Sequence, residues 1–327
     1  MNSVINLFTK SIFFGTVILY GALGEILTEK SGHLNLGVPG IMCLGGIGGL
    51  LFASLYEYGA SSPHAIVCLL IAILGSLVCS VAGGLIYSFL TITLRANQNV
   101  TGLTLTIFGS GLANYIGQLL NAQFGGAGQF SLKITSSAFR ATVPFTDGLG
   151  DIDKLFFNYG FMVYLGIVIA VLMGLFLNKT SIGLNLRAVG ESPATADAAG
   201  VNVIRYKYLA TCTGAAISGL GGLYFVMDYT KGVWASTVNI EALGWLAVAL
   251  VIFAVWKPYR AVWGSYLFGS LYWLYELVPN RNTSIEELIK VLPYLVTVIV
   301  LVLGSVRRRK ESQPPASLGL PYFREDR

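Results

Sequence analysis

For acid–base, thiol or metal chemistry the chain has two histidines, four cysteines and 16 acidic residues among 327. Their spacing supports none of these reactions. His33 and His64 stand alone near the ends of apolar runs, the placement of interfacial side chains rather than of a catalytic base. Cys43, Cys68, Cys79 and Cys212 all fall inside apolar stretches with no CxxC pair, as buried structural thiols do. Asp147, Asp151 and Asp153 lie close together, but no calcium-binding motif surrounds them, so an ordinary solvated loop is expected and no metal site. HExxH, GxSxG and the phosphate loop GxxxxGK[ST] are all absent. The chain is therefore expected not to be an enzyme and to bind no cofactor itself.

The polar residues that do form a pattern lie in 183–200, GLNLRAVGESPATADAAG. Ser192 suits a helix N-cap, Pro193 a first turn and Gly200 a C-terminal stop. Pro193 to Ala199 would be a helix of about 10 Å at 1.5 Å per residue. A helix so short needs tertiary support. Its small side chains either present a smooth knob to another protein or merely connect two spans, and spacing alone does not choose.

The elements that position this segment are apolar. The composition is 54% hydrophobic and 11% charged, with mean hydropathy +0.69. A soluble domain is about 25% charged. Residues 31–56, 58–94, 96–132, 155–178 and 208–227 each lack Asp, Glu, Lys and Arg, and a membrane helix needs about 20 apolar residues. The expected fold is an all-α integral membrane protein of about nine transmembrane helices. They lie near 11–27, 38–56, 64–90, 100–120, 157–177, 208–227, 242–256, 261–278 and 288–304. The first is a span rather than a signal peptide, since the chain re-enters the membrane at once. The organisation expected is a transmembrane domain over 1–306, with 178–207 as its longest loop on one side, and a basic, disordered tail over 307–327. Of the 21 Lys and Arg, 14 fall in the loops sharing a side with 178–207 and the tail, and 7 on the other. The positive-inside rule then puts that loop and the C-terminus in the cytoplasm and the N-terminus outside. It also accounts for the net charge of +5 without nucleic acid.

No acid or base is expected in the middle of a span, which weighs against a proton-coupled transporter, although sodium coupling through backbone carbonyls stays open. LNLGVPGIM (34–42) and VNIEALGWL (238–246) align Asn35 with Asn239 and Gly40 with Gly244 at opposite membrane faces, which suggests an inverted repeat relating spans one to four with six to nine. A pathway beside these segments is the matching expectation. Glycines such as Gly45, Gly46, Gly219 and Gly222 suggest close helix approach. Asn114 and Gln118 share one helical face and either line a polar pathway or bond a neighbouring helix. Asn97 and Asn99 are candidates either for that pathway or for ordinary capping.

Four stretches resemble one family: GALGEILTEKSGHLNLGVPGIM (21–42), LRANQNVTGLTLTIFGSGL (94–112), GLNLRAVGESPATADAAGVNV (183–203) and ALVIFAVWKPYRAVWGSYLFG (249–269). The chain resembles the permease subunits of ATP-binding cassette importers serving simple sugars, nucleosides and branched-chain amino acids, most of all the shorter nucleoside permease. The resemblance runs from about Ser11 to Gly304. It implies a nucleoside as solute, with a sugar or a branched-chain amino acid as alternatives. It also implies a cytoplasmic ATPase that binds ATP and Mg, a second permease (a heterodimer, or else a homodimer), an extracellular solute-binding lipoprotein and a bacterial plasma membrane. The third stretch would be the coupling helix that docks on the ATPase, with Arg187, Gly190, Glu191, Ser192, Pro193, Ala196, Ala199 and Gly200 as contacts. Where the family pattern N-x-G-x-E-G has Glu, this chain has Pro39. The competing reading is a stand-alone channel or secondary transporter.

Overall fold

The computed structural model describes residues 2–125, 130–142, 158–234, 236–278, 283–307 and 313–323. The regular structure among these residues is helical, and Ser131 and Val233 form an isolated β-bridge. The helices are α1 (Asn2–Glu29), α2 (Val38–Gly59), α3 (Ala65–Ser88), α4 (Gln98–Phe124), α5 (Lys133–Phe139), α6 (Phe161–Lys179), α7 (Ser181–Glu191), α8 (Pro193–Ala198), α9 (Val203–Tyr224), α10 (Val238–Phe253), α11 (Pro258–Trp273), α12 (Thr283–Lys290) and α13 (Leu292–Arg307). α3 and α9 each continue through one π-helical segment, Phe89–Thr93 and Phe225–Tyr229.

Five of the helical stretches are long and apolar enough to cross a bilayer: Ile5–Glu29, Val38–Gly59, Ala65–Thr93, Phe161–Lys179 and Val203–Tyr229. Helices that keep every backbone bond internal are the form such segments must take in hydrocarbon. Each of the nine expected spans contains helix, with boundaries shifted by a few residues; three of the differences bear on the fold. α10 ends at Phe253, and Val255 and Trp256 turn with φ of 55° and 53°. The final span is broken into α12 and α13, where Pro293 cannot donate to the preceding turn. The third difference is α1, which runs on to Glu29.

α1, α2 and α9 form the buried centre, and glycines set how closely they approach. A Cβ at Gly222 would strike the Met42 carbonyl, one at Gly45 the Gly219 backbone, and one at Gly24 the Gly214 carbonyl. α3 lies outside this centre. Ile66, Leu70, Leu74 and Val78, each four residues from the next, form an exposed apolar stripe suited to lipid. Cys43 and Cys68 are buried, Cys79 and Cys212 half-buried, and all four are free. Asp147, Asp151 and Asp153 lie outside the described residues.

The expected disordered tail needs correction over 313–323. This stretch runs back across the end of the bundle that carries α7 and α8, and Ser317 is buried. Residues 308–312 and 324–327 lie outside the described residues.

Candidate functional site

The segment 178–207 folds as two helices rather than one. α7 opens with the Thr180 hydroxyl accepting from Gly183 N at 3.0 Å. It buries Gly183, Leu186, Val189 and Gly190, a 3.6-residue period present in the sequence but overlooked beside the Ser–Pro cap that follows. Ser192, with φ −149° and ψ 92°, ends α7 and caps α8, its Oγ accepting from Thr195 N at 3.4 Å. Gly200 (φ +87°) closes the helix. Val201 N donates to Ala196 O and Gly200 N to Asp197 O, both at 3.0 Å, which satisfies the last carbonyls. Ser192, Pro193 and Gly200 thus punctuate the helix as expected, with Ala199 as the C-cap.

The uniform knob does not survive. Ala196 is buried in a small apolar cluster with Val189 and Val203, against which Val201, Tyr206 and Tyr322 pack. Ala194, Thr195, Ala198, Ala199 and Gly200 form the exposed side, with Arg187 and Glu191 exposed near by. Arg187 donates to Asn178 Oδ1 at 3.3 Å.

The tail holds this segment in place. Ser317 donates to Gly190 O twice, from Oγ at 2.6 Å and from its backbone N at 3.1 Å. Ala316 N reaches Glu191 Oε2 at 3.3 Å, and Tyr322 OH reaches Asp197 Oδ2 at 2.9 Å. Gly319 N donates to Gly32 O at 3.3 Å. Gly190 has no room for a Cβ, which would meet the Lys30 carbonyl. One short stretch therefore ties α7, α8 and the α1–α2 connection together.

That connection, His33 to Gly37, is buried non-helical backbone, so its polar groups need partners. Asn35 N donates to Glu25 Oε1 at 2.9 Å and Leu34 N to Gln98 Oε1 at 2.8 Å. Tyr87 OH donates to Leu34 O at 2.6 Å, Thr106 to Leu36 O at 2.9 Å, and Gly37 N to Asn35 Oδ1 at 2.9 Å. Glu29 accepts from the Trp256 indole. No acid or base stands in the middle of an expected span, but burial reaches ionisable groups at and just beyond the span ends. Glu25 and Glu29 in α1, Lys207 in α9 and Asp228 in its π-helical end are all buried. His33, expected at the interface, is also buried, whereas His64 is exposed at the start of α3. Glu25 supports the backbone of the connection, and Glu29 holds the Trp256 indole beside it. Replacing Glu25 with Leu should cost roughly 1–3 kcal/mol through the orphaned Asn35 N–H, and Glu25→Gln much less, read as thermal unfolding in detergent.

The candidate pathway residues separate into different roles. Asn35 is buried in the connection. Asn97 is exposed and caps α4, accepting from Asn99 N at 3.0 Å and Val100 N at 3.1 Å, and Asn99 is exposed beside it. Asn114 donates to Thr237 Oγ1 at 2.9 Å, joining α4 to the start of α10, while Gln118 is exposed. Asn239 is exposed on α10. Gly40 packs on Leu105 and Thr106 of α4, with Leu105 O 2.5 Å from a built Cβ. Gly244 packs on Pro39, whose Cα would lie 2.6 Å from such a Cβ. The two repeat-like motifs, expected at opposite membrane faces, instead meet at Pro39, a first-turn residue of α2 where proline's fixed φ fits.

Over residues 7–301 the sequence matches the family described as "Branched-chain amino acid transport system / permease component". The chain belongs to that family. This permease is 30% identical to TsgC13 of Haloferax volcanii, named as a glucose ABC transporter permease, over 99% of each chain. It is 28% identical to the guanosine ABC transporter permease NupQ of Bacillus subtilis, over 97% of this chain and 96% of the other. It is also 28% identical to the nucleoside ABC transporter permease NupC of Lactococcus lactis, over 93% of each. The permease is thus the membrane-embedded, translocating part of an ABC system, in which an ATPase and a solute-binding protein are separate components.

Proposed function

We propose that this permease imports a nucleoside across a bacterial plasma membrane, paired with a second, non-identical permease. The end carrying α7, α8 and the tail faces the cytoplasm, in line with the excess of Lys and Arg in its loops. α7 and α8 form the coupling element that receives the motion of an ATPase holding ATP and Mg. The observation that carries this reading is α8 itself. It is a short helix capped at both ends, seated on its own apolar cluster and lashed by the tail, with a face of small side chains left outward. A mere connector needs no such support. Coupling follows if that face makes different contacts in the two nucleotide states of the ATPase.

Nucleoside is favoured over glucose because two of these three relatives carry nucleoside names. The pathway runs along the outward side of α4, where Thr104, Gly111 and Gln118 lie seven residues apart and exposed. Asn239 is exposed on α10, two residues from Thr237, which bonds Asn114 of α4, and the second permease closes the other side.

Ala198→Trp tests the coupling role without disturbing the buried side of α8. The assembled transporter should keep its ATPase activity and lose at least tenfold in solute uptake. Wild-type uptake by this variant sinks the reading. For the solute, the cognate binding protein should bind nucleosides in preference to glucose.

A further inference from the structure

A cavity of about 280 Å³ lies under the turn that follows α8. Its walls come from four parts of the chain: the end of α3 with Arg95, the start of α9 with Val203, Ile204 and Lys207, the connection with His33, and the tail with Tyr322. Nothing in the proposed coupling role uses it.

Its chemistry is one-sided. Lys207 is 2% exposed, and among the described residues no side chain bonds or pairs with its ammonium. His33 is likewise 2% exposed, and neither ring nitrogen has a partner among the described residues. Burial holds the His33 imidazole well below its ordinary pKa, and the charge of Lys207 pushes it the same way, so the ring is neutral with one N–H to donate. α9 points its first turn at the same space. Asn202 Oδ1 caps Arg205 N at 3.0 Å, while Val203 and Ile204 carry the first-turn amides that a helix leaves unsatisfied and partly positive. Arg95 stands at the rim with its guanidinium 4.5 Å from the Phe323 ring centroid. The one acid on the wall, Asp197, already accepts from Tyr322.

A buried ammonium with no counter-charge is expensive. Here it sits beside an unsatisfied imidazole and a helix N-terminus, the arrangement that suits an oxyanion with several acceptor oxygens. We propose that this cavity binds a phosphate group, with Lys207 as its charge partner and His33, the α9 amides and Arg95 as further donors. The phosphate comes either from a soluble phosphorylated compound or from an anionic lipid headgroup. Once bound, it ties the start of α9 and the turn after α8 to the end of α3, and so restrains α8. The binding site stands independently of the role proposed for α8; only this restraint of coupling rests on that reading.

The test uses the full-length permease in nanodiscs, titrated with inorganic phosphate against chloride at equal ionic strength and followed by thermal unfolding. In phosphatidylcholine discs, phosphate should raise the wild-type Tm if the ligand is soluble. If the ligand is a headgroup, phosphatidylglycerol discs should raise it without added phosphate. Either result supports the site, provided that Lys207→Met weakens the response at least tenfold. Without phosphate, Lys207→Met should be no less stable than wild type, since it removes an uncompensated buried charge. Should that variant not fold, Arg95→Gln should show the same weakened response. No shift in the wild type under either condition, or a wild-type response in both variants, overturns the proposal.

Discussion

Gly222→Val should abolish recovery of folded permease from the membrane. A Cβ at this position lands on the Met42 carbonyl oxygen, with the Met42 carbonyl carbon 2.7 Å and the Gly46 nitrogen 3.1 Å away. All three atoms are backbone, so no rotamer change gives relief. α9 is also packed tightly against α1, where the Gly24 carbonyl lies 2.5 Å from a Cβ built at Gly214, so a shift that relieves the clash with α2 disturbs a second backbone contact. Overpacking that side chains can absorb costs about 1–3 kcal/mol. A clash of two helix backbones exceeds that range, against total stabilities of about 5–15 kcal/mol. Gly111→Ala supplies the control, since a Cβ there has nothing within 4 Å. Size-exclusion chromatography after detergent extraction reads both: a monodisperse Gly222→Val peak with wild-type thermal stability would falsify the packing account.

Ala196→Phe should act elsewhere, leaving the bundle folded and reducing transport at least tenfold. Ala196 faces Val189 and Val203 in a cluster separate from the main core, with Tyr322 of the tail closing it. A phenyl ring would have to displace those side chains. The local cost of about 1–3 kcal/mol falls on a segment held by a few hydrogen bonds, which opens before the bundle does. Limited proteolysis should find new cuts in 181–203 and in the tail, with little change in the Tm of the bundle. The contrast with Ala198→Trp separates two causes of lost uptake, since that variant should resist the protease like wild type. An Ala196→Phe chain with an intact loop would show that the cluster does not hold α8.

The spans were legible because charge-free runs of about 20 residues have few other physical uses. The punctuation of α8 was legible because Ser, Pro and Gly each have a local backbone reason to stand where they do. Contacts made by backbone were not legible. Ser317 and Gly319 dock through amides and one hydroxyl, which composition cannot distinguish from a solvated tail. Glu25 lay within an expected span, but nothing local announces that its partner is the amide of Asn35 ten residues on. Lys207 was counted among loop charges because a lysine at the edge of an apolar run normally reaches water. Its burial depends on α3, the connection at His33 and the tail converging on it. The same limit applies to Pro39, whose consequence is set by Gly244, some 200 residues away.

The lashing of α7 and α8 by residues 316–322 bears on how the chain is made. Ser317 and Tyr322 leave the ribosome after all the helices described above, so the segment between α6 and α9 is delivered to the membrane before the residues that secure it. Insertion of the spans and completion of the loop are thereby separated in time. A message broken off by a premature stop shortly after α13 would yield a protein with its helices in place and α8 unfastened. Such a product would be open to proteases at the very segment proposed to meet the ATPase, and faulty copies would be cleared before they could occupy a transporter.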